Sequence, residues 1–146
     1  MDGAPRVAVV AQTLIDARCA GVLFTRNPVS GADERVIEVT WGLGEAVVSG
    51  LVEPDRVRLS PDGAVLEHQI GGKDVAVRLA LDGTTAEHEV ATADRARACL
   101  NEGMIADLQA LVRGVEASFP DDAGHDFQFA FEGARVHLLQ RRAITR

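Results

Sequence analysis

The last third of the chain places the strongest constraint on the fold, because three phenylalanines alternate with other residues along one segment. Phe127, Phe129 and Phe131 recur with period two, which places their side chains on one side of a β-strand. Asp126 and Gln128 then point to the opposite side. The segment therefore predicts a strand with one buried aromatic face and one polar face.

A return strand is expected to close this segment into a β-hairpin. Glu132-Gly133-Ala134 is the predicted connecting loop, and residues 135–145 form the predicted second strand. Gln140 and Arg142 share one face of that strand, whereas Arg141 points away. An amide and cationic wall above an aromatic core suits a polyanionic ligand, although a solvated strand end gives the same pattern.

The register of the hairpin decides whether the two glutamines meet. With a three-residue loop, Gln128 and Gln140 lie on the same face, and a slip of one residue separates them. Arg142 offers a planar fork of donors that suits phosphate oxygens. Gln140 can bind a metal through its carbonyl oxygen or a phosphate through its amide.

Length and charge narrow the classes of function. The 146 residues, of which 47% are hydrophobic, predict one domain over residues 1–146. The formal charge of −7 and the pI near 5.0 argue against a nucleic-acid partner, which calls for a basic stripe. A nucleotide ligand remains compatible, but only through a local cationic cluster and a metal ion that screens its phosphates.

Cysteine usage and hydropathy point to the cytoplasm. Cys19 and Cys99 lie far apart in sequence and have neither metal-ligand nor redox spacing, so we expect reduced thiols. No apolar run is long enough to cross a bilayer, and no signal segment opens the chain. We therefore expect a cytoplasmic location without a membrane partner.

The first two thirds of the chain read mainly as strands separated by turn residues. The predicted strands are Val7–Ala11, which ends at Gln12, then Cys19–Thr25, Arg35–Thr40, Arg56–Leu59, Ala64–Ile70 and Val75–Leu81. From Thr92, with Thr92 as the N-cap, the period changes to that of one long amphipathic helix that stops before Pro120. Its apolar stripe comprises Leu100, Met104, Ile105, Leu108, Leu111, Val112, Val115 and Phe119. Many strands, one helix and a closing hairpin predict an α+β fold with a mostly antiparallel sheet and the helix on one face.

Two glycine-rich loops admit a functional and a structural interpretation. Gly42-x-Gly44 before a short helix can cradle phosphate, but a tight turn that tucks Trp41 inward is favoured by spacing alone. Glu45 can be a ligand, or a first-turn acid at a helix dipole. Gly71-Gly72-Lys73 reads as a turn with a solvated lysine, and the four histidines share no metal spacing.

Three motifs resemble a known family, in the family's own order. Residues 20–28 with Ser30-Gly31 resemble the nucleotide-binding domain of pyruvate phosphate dikinase and phosphoenolpyruvate synthase. Residues 41–50, Trp-Gly-Leu-Gly-Glu-Ala-Val-Val-Ser-Gly, resemble phosphoenolpyruvate synthase and the rifamycin phosphotransferases more closely. Residues 139–145 resemble the family's closing Leu-Gln-x-Arg-Pro-Ile-Thr, with Ala143 in place of the proline.

The resemblance implies the C-terminal lobe of an ATP-grasp fold, in which ATP and Mg²⁺ lie between two lobes. The N-terminal lobe, the swivelling phosphohistidine domain and the pyruvate-binding barrel have no counterpart here. One interpretation is the ATP-binding lobe of an ATP-dependent phosphotransferase (a kinase that yields AMP), whose other lobe lies in another chain or was lost by truncation. The alternative is a degenerate, non-catalytic nucleotide-binding or interaction module. Either way, we expect the isolated chain to be inactive.

The resemblance also assigns roles to four residues. Gln140 falls on the family's metal- and phosphate-binding glutamine, and Arg142 falls on its catalytic, phosphate-binding arginine. Gln12 matches a residue near the adenine. Gln128 falls where the family has a Mg²⁺-binding glutamate, and an amide there removes a full charge from the metal site.

Overall fold

The computed structural model describes residue 8, residues 11–120 and residues 124–144. Strands dominate the described chain. In order, its elements are β1 (Cys19–Phe24), β2 (Arg35–Trp41), α1 (Glu45–Val48), β3 (Asp55–Leu59), β4 (Val65–Gln69), β5 (Val75–Leu79), β6 (Thr85–Glu89), α2 (Thr92–Arg95), α3 (Glu102–Ser118), β7 (His125–Glu132) and β8 (Arg135–Ala143).

Six of the strands form one sheet in the order β4-β3-β2-β1-β7-β8, and every neighbouring pair is antiparallel. β5 and β6 form a separate two-stranded hairpin. The expected α+β class with a mostly antiparallel sheet is therefore confirmed. Within the described ranges, no helix is long and apolar enough to cross a membrane.

The period-two phenylalanines of β7 form the centre of the main core. Phe127, Phe129 and Phe131 are each at most 1% exposed, and they pack in one cluster with the buried face of α3. The other face of β7 carries Asp126 and Gln128, both only half-buried. The alternation along this strand thus separates a sealed face of the sheet from an open one.

The expectation of one helix from Thr92 is wrong, because the long helix begins ten residues later. α3 starts at Glu102, and its N-cap is Asn101, whose side-chain oxygen accepts a 2.9 Å hydrogen bond from the Met104 N–H. Thr92 instead opens the four-residue α2. Of the predicted stripe, Leu111 and Phe119 are exposed by 38% and 50%.

The interruption between the two helices is explained by a buried ion pair. The ammonium of Lys73 lies 2.5 Å from Asp55 Oδ1, and both side chains are fully buried. Lys73 also donates to the Arg97 carbonyl oxygen, and the other carboxylate oxygen, Asp55 Oδ2, accepts from the Cys99 N–H. Backbone groups at residues 97–99 therefore bond to the pair. The expectation of a solvated Lys73 is wrong.

The structure differs from the predicted strands in two further places. β6 was not predicted, because its five residues are all exposed and carry no apolar alternation. The Asp82-Gly83 turn joins β6 to β5, with Gly83 at φ +85°. This dipeptide is typical of a tight hairpin turn and indicates a second strand after β5. The strand predicted at 7–11 lies outside the described residues at positions 7, 9 and 10, and Ala8 and Ala11 adopt no regular secondary structure.

Candidate functional site

The open face of the sheet carries a groove with an apolar end and a polar end. The apolar end encloses about 410 Å³ and the polar end about 220 Å³. Val48 and Gln128 line both ends, so the two cavities lie side by side on this face, and we refer to them together as the groove. The apolar end is formed by the segment before β1, the turn into α1, and the strands β1, β7 and β8; its side chains include Leu14, Ile15, Ala20, Leu43, Ala130 and Leu139.

The polar end holds three charged side chains of both signs. Glu38, Asp126 and Arg142 line it together with Gln128. Arg142 Nη2 donates a hydrogen bond to Asp126 Oδ2 at 2.7 Å, and the two side chains are exposed by 63% and 14%, respectively. The formal charge at this end is therefore −1, which neither attracts nor holds a polyphosphate without a compensating cation.

The two glutamines do meet, although the loop between their strands is not the expected one. The hairpin turns on two residues, Gly133 and Ala134, because Glu132 pairs with Arg135. A regular ladder would then set Gln128 against residue 139. A β-bulge on β8 inserts one extra residue between Leu138 and Gln140, and Gln128 pairs directly with Gln140.

The bulge also places Arg142 two pairs further along the ladder, opposite Asp126 and on the same face as the glutamine pair. Neither the Gln128 amide nor the Gln140 amide forms a side-chain hydrogen bond anywhere in the described chain, so both are available to a ligand. Arg141 points away, as predicted, and its guanidinium lies 4.4 Å from the centre of the Phe119 ring.

Glu38 is a groove residue that the sequence interpretation missed. Across the sheet, Val22 of β1 pairs with Glu38 on one side and with Gln128 on the other. The acid therefore lies two strands, or roughly 10 Å, from Gln128 on the same face. The sequence pattern could have identified it as a candidate site residue, because Glu38 is the one acidic residue inside the largely apolar strand β2.

Gln12 is not positioned by any helix or strand. It is exposed, in a segment without regular secondary structure, two residues before Leu14 of the apolar end. The structure thus groups Gln128, Gln140 and Arg142 on adjoining strands, whereas Gln12 lines neither end of the groove.

The glycine turn after β2 has a structural role at its first glycine. Gly42 adopts φ +77°, and a Cβ there would lie 2.4 Å from the Val77 carbonyl oxygen. Its N–H donates to the Arg18 carbonyl, and the Leu43 N–H donates to Val77, so both amides are already used. The turn buries Trp41, as the structural interpretation predicted.

Thiol and metal-cluster chemistry find no support in the described part of the chain. Burial raises the pKa of the Cys19 thiol to about 12 and also raises the pKa of Cys99, which leaves both thiols protonated and unreactive. Among residues 8, 11–120 and 124–144, no three His, Cys, Asp or Glu side chains gather into a metal-binding group. A metal at the polar end would depend on two carboxylates, Glu38 and Asp126, and on amide oxygens.

Comparison with known proteins identifies the family. Residues 2–146 match the pyruvate phosphate dikinase AMP/ATP-binding domain. The chain is 39% identical over 140 residues to a probable phosphoenolpyruvate synthase of Methanothermobacter thermautotrophicus, covering 95% of this chain and 20% of that protein. It is 35% identical over 142 residues to an uncharacterized phosphotransferase of Bacillus subtilis, covering 97% of this chain and 17% of that protein.

A third relative is a rifampicin phosphotransferase of a Streptomyces species, 33% identical over 141 residues, with 95% of this chain and 16% of that protein covered. The chain thus spans about a fifth or less of the length of these relatives. It belongs to the pyruvate phosphate dikinase AMP/ATP-binding domain family, the nucleotide-binding domain of phosphoenolpyruvate synthase-like phosphotransferases.

Proposed function

We propose that the groove binds Mg²⁺-ATP and that the chain is the C-terminal lobe of an ATP-grasp domain in an ATP-dependent phosphotransferase. The observation that carries this proposal is the Gln128–Gln140 pair beside Arg142, at the end of an apolar cavity. The apolar end suits the adenine and ribose, and the polar end suits the phosphates. Gln12, two residues before Leu14 of the apolar end, is the proposed contact to the adenine.

The donor set at the polar end fits Mg²⁺. This ion prefers oxygen ligands and is held by one or two carboxylates together with substrate phosphates. Glu38 and Asp126 would supply the carboxylates and Gln128 a carbonyl oxygen. Gln140 lines neither cavity, but it is exposed and pairs with Gln128, so its carbonyl oxygen is the proposed fourth donor. When bound, the ion would neutralise phosphate charge and stabilise the charge that develops during transfer.

Arg142 has the proposed catalytic role of holding the transferring phosphoryl group. Its guanidinium donates a hydrogen bond to Asp126. A phosphate would compete for the same planar fork, and release of Asp126 would leave that carboxylate free to bind the metal. Because the polar end carries a formal charge of −1, we expect nucleotide binding to depend strongly on Mg²⁺.

We further propose that residues 1–146 form one partial ATP-grasp domain and that a second lobe closes over the groove. Exposed apolar side chains at the groove, Leu14 at 51% and Val48 at 64%, support this. Two buried free thiols are compatible with the cytoplasm as its location. A degenerate, non-catalytic nucleotide-binding module remains the second candidate, because the amide of Gln128 replaces the family's carboxylate.

Calorimetric titration with ATP, with and without Mg²⁺, tests the proposal. We expect Mg²⁺ to enhance binding, and Arg142→Ala to weaken it at least about tenfold, since it removes a charge-assisted bidentate contact. Arg135→Ala, on the same strand but outside the groove, is the matched control. Equal affinity with and without Mg²⁺, or an unaffected Arg142→Ala, would contradict the proposal.

Gln128→Glu separates the two candidate functions. It adds a hard ligand and a negative charge, so Mg²⁺-dependent affinity should rise while affinity without Mg²⁺ should fall. No change in either would favour the degenerate module. We expect no phosphotransfer by the isolated chain, and ATP-dependent AMP production by the pure protein would overturn that expectation.

A further inference from the structure

A second cavity of about 260 Å³ lies where the β5–β6 hairpin and α2 meet the start of β1 and the end of β2. Its lining includes Arg18, Trp41, Arg78, His88 and Arg97. None of its lining residues lines either end of the ATP groove. It is therefore a separate cavity with its own chemistry.

Three arginines contribute to this cavity, and two of them have no partner among the residues that the structure describes. Arg97 is paired with Asp94 at 2.6 Å, and the other acid of the lining, Glu89, is paired with Arg95 outside the cavity at 3.1 Å. The guanidinium groups of Arg18 and Arg78 form no hydrogen bond or ion pair with any described residue.

Two unpartnered guanidinium groups at one cavity stand out in a chain with 22 acidic and 15 basic residues. Because the chain has more acidic than basic residues, an arginine at an arbitrary surface position is expected to pair with a carboxylate more often than to line a cavity without a partner. Their ten free N–H donors point to an anionic ligand that accepts several hydrogen bonds at once.

The size and floor of the cavity limit the ligand to a small anion. Trp41 is only 4% exposed, its indole N–H donates to the Asp94 carbonyl oxygen at 2.9 Å, and Arg97 lies 5.6 Å from the ring centre. The ring therefore offers no open face on which a base can stack. A volume of about 260 Å³ also lies below the range usual for drug-sized ligands.

We propose that this cavity is a binding site for a small phosphoryl anion, of the size of phosphate or pyrophosphate, held by Arg18 and Arg78. Two guanidinium forks match the oxygens of such an anion and stay charged at every relevant pH. The site is independent of nucleotide binding in the groove.

The chain carries its own reporter for this site, because Trp41 is the only tryptophan. Indole fluorescence is followed during titration with pyrophosphate, without Mg²⁺ and at ionic strength held constant with KCl. We expect a saturable change that Arg18→Gln and Arg78→Gln each weaken at least about tenfold, as the loss of hydrogen bonds to a charged group predicts. Arg135→Gln, an exposed arginine elsewhere, should leave the response unchanged.

Three results would overturn the proposal. The first is an equal response to KCl alone, and the second is an unchanged response in the Arg18→Gln, Arg78→Gln double variant. The third is loss of the response in Arg142→Ala, which would assign it to the groove. Both arginines are exposed, so the variants should fold; a double lysine variant keeps the charges, loses the forks and should bind with intermediate affinity.

Discussion

On one face of the six-stranded sheet the side chains of β7 meet α3, and on the other face they meet the groove. The first face holds Phe127, Phe129 and Phe131, at most 1% exposed. The second holds Asp126 and Gln128, which alternate with the phenylalanines in sequence and are only half-buried. One strand thus contributes its odd positions to the core and its even positions to the groove.

The charged groups of the molecule show the same division. The Lys73–Asp55 pair is fully buried and has further backbone partners, whereas the Arg142–Asp126 pair leaves its arginine 63% exposed. The first pair organises the chain between α2 and α3. The second should open at a lower cost in free energy, because its arginine is already in contact with water.

The largest expected effect tests the division within β7 itself. Phe129→Ala should lower the free energy of unfolding by about 4 kcal/mol, because it empties a packed site between the sheet and α3. Gln128→Ala, one residue away on the open face, should change it by less than about 0.5 kcal/mol. Urea denaturation of both variants measures the difference, and equal losses would show that the two faces do not differ as described.

The second effect compares the two ion pairs. Lys73→Met should cost about 3 kcal/mol in unfolding free energy, because it leaves the Asp55 carboxylate buried without its cation. We expect the lower end of the usual range, since Asp55 keeps the Gly71 and Cys99 N–H donors. Arg142→Met, without nucleotide, should cost less than about 1 kcal/mol.

Thermal and urea denaturation measure both variants of the second comparison. Because lysine and methionine have similar length, the substitution changes charge more than packing. A loss at Lys73→Met no greater than that at Arg142→Met would mean that burial does not distinguish the two pairs.

The faces of β7 could be predicted from the sequence, but the register of its hairpin could not. Period two is a local property, and it assigned Phe129 inward and Gln128 outward correctly. The predicted three-residue loop was wrong, and the glutamines meet because of a bulge. Two consecutive leucines precede Gln140, so the apolar–polar alternation is interrupted there and does not reveal the extra residue of the bulge.

Long-range partners account for the other errors. Nothing near Lys73 in sequence indicates that it is buried, because its carboxylate partner lies 18 residues earlier on β3. The same pair forms hydrogen bonds to backbone groups of residues 97 and 99, in the segment that separates α2 from the start of α3 at Glu102. Hydrophobic periodicity reports which face of an element is buried, whereas it does not report a polar contact between distant segments.

The smallest expected effect concerns a carboxylate that is held firmly beside the open face. Glu34 precedes β2. Its carboxylate accepts hydrogen bonds from Arg58 Nε at 3.1 Å, from Arg58 Nη2 at 3.0 Å and from the Asn27 amide at 2.8 Å. Arg58 lies on the open side of β3, between the buried Val57 and Leu59. The hydrogen bonds from Arg58, and then that from Asn27, lower the pKa of the Glu34 carboxyl.

A lowered pKa in the folded state stabilises the fold above the pKa of an unfolded glutamate, about 4.3. That stability is lost as the pH falls from there through the lower folded value. Glu34→Gln should therefore destabilise the protein at pH 7 and progressively less below about pH 4. Urea midpoints of wild type and variant across this range measure the effect, and Glu87→Gln on the exposed β6 controls for the lost charge. A destabilisation that stays constant down to acidic pH would mean that Glu34 supports the fold through its packing and hydrogen bonds and not through the ionisation of its carboxyl group.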